Sequence, residues 1–495
     1  MYRRKTGSAI HPMSAASQLF RNSALSFSTN VVTKAVNTIA FILIARMSQV
    51  DQAGIFSLGT TYLVIFTATA WGLDELMVRQ VARNRQDAGQ YFGPFLSLRV
   101  LISLTAYALM YILIRYVMGY SESTSFPILI LGISLIPDSL NSVGQALLAA
   151  HERFEIPLIA GGVSSIIKLS GATLALFYGN GLPQIGWAWV AGSCVGAVIT
   201  LGAAARQAGK LHLSMWLNRL FWATNLRLAV PFITIGFFLT LEYQTDVIIL
   251  SKVRGEAEVG WYGAVTTIVF ALTMIGQSYR AAVYPLMVRY HKSDPGKLGH
   301  LYDLSMFYLG SLALPMAAGL TLLSRPIILT VYNNGFSNAI LPLQIIAWYL
   351  VFNYLNIPNS RIMLVSEQQK RLTYFLIASM GLNIILNLTL DAPLGAVGAS
   401  IARVSSSLVF LLMNYYYVNH HIHSHHLSQS LKTTLFATLV MSGIVWALRS
   451  FNLWIAILVG LLVFIGVLIA LRGVTDEEKH WINTFLDKMP LRSKI

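Results

Sequence analysis

Residues 26–46 read SFSTNVVTKAVNTIAFILIAR. About 20 residues of apolar helix cross the hydrocarbon core of a bilayer, so this stretch is long enough to do it. Yet Asn30, Lys34 and Asn37 stand in its middle. A lysine at mid-membrane costs about 3 kcal/mol on insertion scales unless it faces water or a partner. The three polar residues fall at i, i+4 and i+7, so they share one helical face. Val32, Val36, Ile39 and Leu43 lie on the other side and suit lipid or apolar packing. The pattern predicts a helix lining a polar cavity. A structural lysine held by a buried carboxylate is the plainer alternative.

The rest of the chain is built in the same way. Of 495 residues, 55% are hydrophobic and 11% charged, with a mean hydropathy of +0.62. Soluble domains carry about 25% charged residues, so most of this chain is expected in lipid. The single cysteine, Cys194, lies in an apolar stretch and leaves no intrachain disulfide. The net charge of +15 sits in short loops between apolar spans. There it sets topology and does not point to nucleic acid. No cleavable apolar core follows Arg3, Arg4 and Lys5. Residues 1–18 are expected to be a disordered cytoplasmic tail.

Fourteen apolar spans follow, near 21–47, 53–82, 92–117, 126–150, 156–178, 184–205, 224–250, 258–288, 301–331, 338–364, 371–390, 394–418, 432–449 and 453–471. Placing the N-terminus in the cytoplasm puts 23 of the 35 lysines and arginines at inside ends and loops, 6 outside and 6 within spans. That asymmetry predicts cytoplasmic termini. The fold class is an all-α polytopic membrane protein with about 14 transmembrane helices.

Two halves echo each other. QAGIFSLGTTYLVIF (52–66) follows the first span, and EVGWYGAVTTIVFAL (258–272) follows the seventh. Asn141-Ser142 registers with Asn359-Ser360, and QIGWAWVAGS (184–193) with PLGAVGASIA (393–402). An even number of spans per half makes the repeats parallel, and transporters of this kind bind substrate between the halves. The expected organisation is an N-terminal six-helix lobe over 19–210, a C-terminal six-helix lobe over 211–430, an extra helix pair over 431–472 and a cytoplasmic tail over 473–495.

Ionisable residues inside the spans are the candidates for chemistry. Besides Lys34 they are Asp74, Glu75, Arg99, Asp138, Lys168, Glu242, Asp246, Arg280, Arg361 and Arg403. Arg280, in GQSYR (276–280), suits an anionic group because a guanidinium fork matches phosphate oxygens. Lys168 is a second mid-span cation. Glu242 and Asp246 stand one turn apart and could form a cation-linked acidic pair; proximity to the outer surface would also explain Asp246. Asp74 could line the cavity or pair with Arg79. The kink after Pro137 could account for Asp138. Arg99 and Arg361 lie near inner ends, where snorkelling is the default. Asn37, Asn141, Gln145, Gln277, Asn353, Asn356, Asn359, Asn383 and Asn387 could meet a hydroxyl-rich substrate or simply bridge helices.

The histidines at 420, 421, 423, 425 and 426 have no Cys or carboxylate near them in sequence and are expected to form a solvated loop. There is no Walker A sequence, H-E-x-x-H or zinc spacing. The expectation is therefore no enzyme, no cofactor and no metal.

ARMSQVDQAGIFSL (45–58), GLDELMVRQVAR (72–83), TDVIILSKV (245–253) with VGWYGA (259–264), and GAVGASIARV (395–404) together resemble the polysaccharide flippases. These are O-antigen, lipopolysaccharide and capsule translocases of the multidrug/oligosaccharidyl-lipid/polysaccharide superfamily. The resemblance covers roughly residues 19–475. It implies two six-helix lobes around a central cavity lined by helices 1, 2, 7 and 8, working by alternating access in the inner membrane. The implied cargo is an oligosaccharide on undecaprenyl pyrophosphate, moved to the outer leaflet, with polymerase and glycosyltransferases as partners. Lys34, Arg280, Lys168, Asn37 and Asn141 become candidate substrate-binding residues, and Asp74, Glu242 and Asp246 candidate coupling or cavity acids. A cation-coupled multidrug antiporter and a lipid II flippase of the same superfamily are the alternatives.

Overall fold

The computed structural model describes residues 15–68, 71–179, 181–209, 218–449 and 451–472. The expected tail at 473–495, and 1–14 of the one at 1–18, lie outside the described residues; 15–18 are already the first turn of α1 (Ala15–Met47). Every regular element among the described residues is a helix. Among the described residues twelve helices are long and apolar enough to span a membrane, and a thirteenth forms if α2 (Val50–Ala68) and α3 (Trp71–Arg83), bent by 43°, are counted as one. The fourteenth expected span is α1, whose 33 residues are long enough to cross.

The chain packs as two units, Met1–Lys252 and Val253–Ile495. The first holds α4 (Ala88–Ile112, ending in a π-turn over Leu113–Val117), α5 (Glu122–Gly132), α6 (Leu135–Ala150), α7 (Glu155–Phe177), α8 (Leu182–Ala208) and α9 (Arg219–Arg254). Its core joins Leu73 and Met77 of α3, Phe95 and Leu98 of α4, Val143 and Leu147 of α6, Ala204 of α8 and Ala229 of α9. Small residues let α6 and α8 approach closely: a Cβ on Gly144 would sit 2.9 Å from Thr200. Polar bonds fasten α9 to this unit. Thr61 donates to Gln244 (3.0 Å), Trp222 Nε1 to Ser97 (3.3 Å) and Gln80 to Asn225 (2.8 Å). Tyr120 and Ser251 hydroxyls lie 2.7 Å apart, and Lys252 donates to the Met118 carbonyl.

The second unit runs through α10 (Glu256–Ser293), α11 (Pro295–Leu322), α12 (Ser324–Val331), α13 (Ile340–Ile346), α14 (Tyr349–Val365), α15 (Gln369–Leu394), α16 (Ala396–His421), α17 (Leu427–Leu448) and α18 (Leu453–Arg472). Tyr302 on α11 donates to Asn359 on α14 (2.9 Å), and Asn414 on α16 to Asn356 on α14 (2.8 Å). Asn383 donates to Ser406 across α15 and α16 (3.4 Å). These asparagines bridge helices, as buried amides in a bundle do. Gly395, at φ +57°, breaks α15 from α16, and Glu258 accepts from the freed Ala396 amide at 2.8 Å. The α17–α18 hairpin packs on α11 through Ala318, Leu323, Ala437, Met441, Val445 and Phe464. Ser311 and Thr434 hydroxyls meet at 2.7 Å, and Leu431 fills the space a Cβ on Gly310 would need.

Candidate functional site

In the first unit the charged candidates separate by partner. Arg99 of α4 is 2% exposed and donates to Asp74 of α3 in an ion pair. The expectation that Arg99 snorkels is corrected here, as is Arg79 as the partner of Asp74. A residue five positions along a helix lies about 140° round from the first, so Asp74 and Arg79 do not share a face. Lys168 of α7 lies 3.8 Å from the Asp138 carboxylate of α6, with its ammonium 5.8 Å from the Trp189 ring centroid. Gly192 of α8 makes this route possible: its missing Cβ would stand 2.6 Å from Lys168 Cγ. Asp138 therefore has a charge partner, beyond any effect of Pro137. Asn141 accepts from Thr200 at 2.8 Å, a link between α6 and α8.

Lys34 and Asn37 are exposed on α1, whose packed residues are Ala40, Phe41, Ile44 and Ala45. The Asn30 side chain lies outside the described set. Glu242 is half-buried on α9, and Asp246, one turn on, is 0% exposed.

In the second unit Arg280 is exposed on α10. Arg361 of α14 is half-buried with its guanidinium 5.4 Å from the Tyr284 ring centroid, close enough to Arg280 for the two like charges to repel. Its Nε is buried with no hydrogen-bond partner among the described residues. Neither Lys34 nor Arg280 has a carboxylate within ion-pair distance among the described residues, whereas Arg99 and Lys168 do. Sequence position alone could not sort these cations, because each partner is set by a different helix.

The histidine loop differs from expectation. Asp303, from α11, reaches it: His425 Nδ1 lies 2.6 Å and His423 Nε2 3.0 Å from the same Asp303 oxygen. Tyr302 sets its ring edge-on to both imidazoles. His425 is 7% exposed, and burial pushes its pKa down despite the nearby carboxylate. His425 and Asp303 thus form a packed clasp, while His420, His421 and His426 stay exposed as expected. Among the described residues no group of three or more His, Cys, Asp or Glu is placed to hold a metal ion.

The helical arrangement matches solved transporters. The structure of the lipid II flippase MurJ in an inward closed conformation aligns with a TM-score of 0.72 at 16% identity, covering 91% of this chain and 98% of that one. An inward-facing multidrug resistance transporter of the MATE family aligns at 0.66 and 14% identity, covering 83% of this chain and 99% of its own. The eukaryotic MATE transporter AtDTX14 aligns at 0.57 and 12% identity, covering 85% and 100%. No curated protein sequence gives a match. The fold is thus shared with these flippase and multidrug transporter structures. A family profile described as polysaccharide biosynthesis protein matches residues 63–341, more than half of the chain, and the chain belongs to that family.

Proposed function

We propose that this chain is an inner-membrane flippase for an undecaprenyl-pyrophosphate-linked oligosaccharide, carrying it from the cytoplasmic to the outer leaflet by alternating access, with both termini cytoplasmic. The observation that supports the reading is the sorting of the intramembrane cations. Lys34 and Arg280 have no carboxylate partner among the described residues, while Arg99 and Lys168 are paired. An unpaired cation inside a membrane protein is costly and is retained where an anionic ligand supplies the missing partner. A diphosphate does so with oxygens that suit both a point-charge ammonium and a planar guanidinium.

Asn37, exposed beside Lys34 on α1, would meet sugar hydroxyls. Lys168 and Asn141 enter the reading in a supporting position, since each already has a partner in its own unit. The buried Asp246 and its neighbour Glu242 are the acids we assign to coupling, with Asp74 held by Arg99. The family supports transport in polysaccharide biosynthesis, and no enzymatic step is assigned. Polymerase and glycosyltransferases are the proposed partners; O-antigen, capsule and lipopolysaccharide are the pathways in view.

The test is transport by purified protein in proteoliposomes, using a fluorescent lipid-linked oligosaccharide and a lipid II analogue in parallel. Lipid-linked oligosaccharide should flip, and Lys34→Ala or Arg280→Ala should stop it. Flipping of lipid II alone would move the reading to that substrate. Uptake of a cationic drug, with neither lipid moved, would overturn it.

A further inference from the structure

A cleft of about 470 Å³ opens where the end of α3, the start of α4 and the start of α9 meet. It lies wholly in the first unit and uses none of the residues discussed above as transport candidates. Gln80, Asn84, Asn218 and Asn225 bring four carboxamides to it, Thr224 a hydroxyl, Tyr91 and Phe221 aromatic rings, and Arg83 a cation. Its size falls in the range of small-molecule sites.

The lining is held in place by bonds that leave binding capacity over. Asn218 caps α9 by accepting from the Phe221 amide at 3.0 Å, which commits its oxygen and leaves its NH2 group. Asn225, 3% exposed, spends its oxygen on Gln80 at 2.8 Å and its NH2 on the Phe221 carbonyl at 2.9 Å. Gln80 is then fixed with its own amide oxygen buried and no donor bonded to it among the described residues. Phe221 is clamped edge-on by Phe95 at 5.2 Å and lies 6.4 Å from the Tyr91 ring. Arg83 and Thr224 are exposed.

Each feature names a piece of the ligand. Asn84 donates to Asp87, so the groups left over are its oxygen and the Asn218 NH2, an acceptor and a donor that match vicinal hydroxyls. A fixed aromatic ring offers a flat surface to the C–H face of a pyranose. Arg83 offers a guanidinium to a phosphate. All three helix ends lie at the boundary of the spans.

We infer that this cleft binds the sugar-phosphate head group of a lipid-linked saccharide lying in the adjacent leaflet. Its role as a loading site on the cytoplasmic side rests on the flippase reading above; the binding itself does not.

The test measures binding to the full-length protein in nanodiscs by saturation-transfer NMR, with glucose 1-phosphate, inorganic phosphate and a short-chain prenyl diphosphate-linked glucose as probes. Arg83→Gln and Thr224→Trp alter exposed positions and should leave the fold intact, as a thermal melt checks. Glucose 1-phosphate and the prenyl-linked sugar should both bind, and each variant should weaken both about tenfold, the loss expected when a charged contact is removed or the space is filled. Transport in proteoliposomes is measured on the same Arg83→Gln and Thr224→Trp proteins, so the failure of the cleft and that of the transport reading are read separately. Binding unaffected by Arg83→Gln and Thr224→Trp would overturn the inference. So would inorganic phosphate competing as well as glucose 1-phosphate, since the cleft would then read phosphate alone. Prenyl-linked sugar that ignores both variants would overturn the leaflet as the source.

Discussion

Lys168 and Asp138 face each other at 3.8 Å across α7 and α6, with the lysine stem laid over Gly192. Two charges within a membrane span are tolerated together and are costly apart. Lys168→Ala should therefore destabilise the protein through the carboxylate it strands, by about 1–3 kcal/mol, below the 3–5 of a fully buried, tightly bonded pair. Lys168→Ala with Asp138→Asn should recover most of that loss. Thermal melts of the four combinations form the cycle; additive losses would mean the pair does not interact.

Arg99 and Asp74 make the more demanding case. Arg99 is 2% exposed, so its removal leaves Asp74 without its bonded cation. Arg99→Ala should cost about 3–5 kcal/mol and lower the yield of folded protein. Asp74→Asn keeps one hydrogen bond to the guanidinium and should cost more in stability than in transport. A variant of Arg99 that melts like the parent would remove this pair from the set of structural anchors.

Lys34 and Arg280 should behave in the opposite way. Lys34→Ala and Arg280→Ala should insert and melt normally but lose transport, because no carboxylate is left behind. Lys34→Arg should keep part of the activity, since charge survives but shape does not. A variant that inserts, melts and still transports at the parental rate would remove that cation from the site.

The His425 clasp sets a pH dependence. Burial holds its pKa below the ordinary 6.5. The unfolded loop then binds more protons than the folded one, so local stability is full above about 6.5 and is lost as pH falls toward the folded pKa. The groups that face it are Asp303, His423, His426, Tyr302 and Tyr415. Protection of the amides over 422–427, taken relative to intrinsic exchange at each pH, should be lower at pH 5.5 than at pH 7.5, and His425→Gln should flatten that difference. Equal protection at both pH values would separate the clasp from histidine protonation.

Topology is the last expectation to test. Cysteines placed at Arg85, Lys292 and Ser424 should label from the cytoplasm, and at Ser121, Glu256 and Gly335 from outside. One half labelling in reverse would break the charge asymmetry that placed both termini inside.

The spans were legible because length and hydropathy are local properties, and every expected stretch corresponds to a helix or a helix pair in the structure. The 43° bend between α2 and α3 was not, since no proline marks it. The partners were not legible either. Asp303 lies 122 residues from His425, and Thr200 lies 59 from Asn141, so only packing brings them together. The Asp74 partner could have been narrowed, because helical geometry alone argues against Arg79. The cleft at α9 escaped notice because carboxamides at helix ends look like capping residues until the third wall is in place.

The Ser311–Thr434 bond and the seat of Leu431 on Gly310 bear on how the chain is made. The two hydroxyls are 123 residues apart, so α11 enters the membrane long before its cover is synthesised. During that interval the glycine notch of α11 is open to whatever lies beside it in the bilayer. A ribosome stalled after α16 would leave a nascent protein with that notch still open, a recognisable mark of incompleteness for membrane quality control. The α17–α18 hairpin thus covers a notch that α11 carries from the moment of its own synthesis.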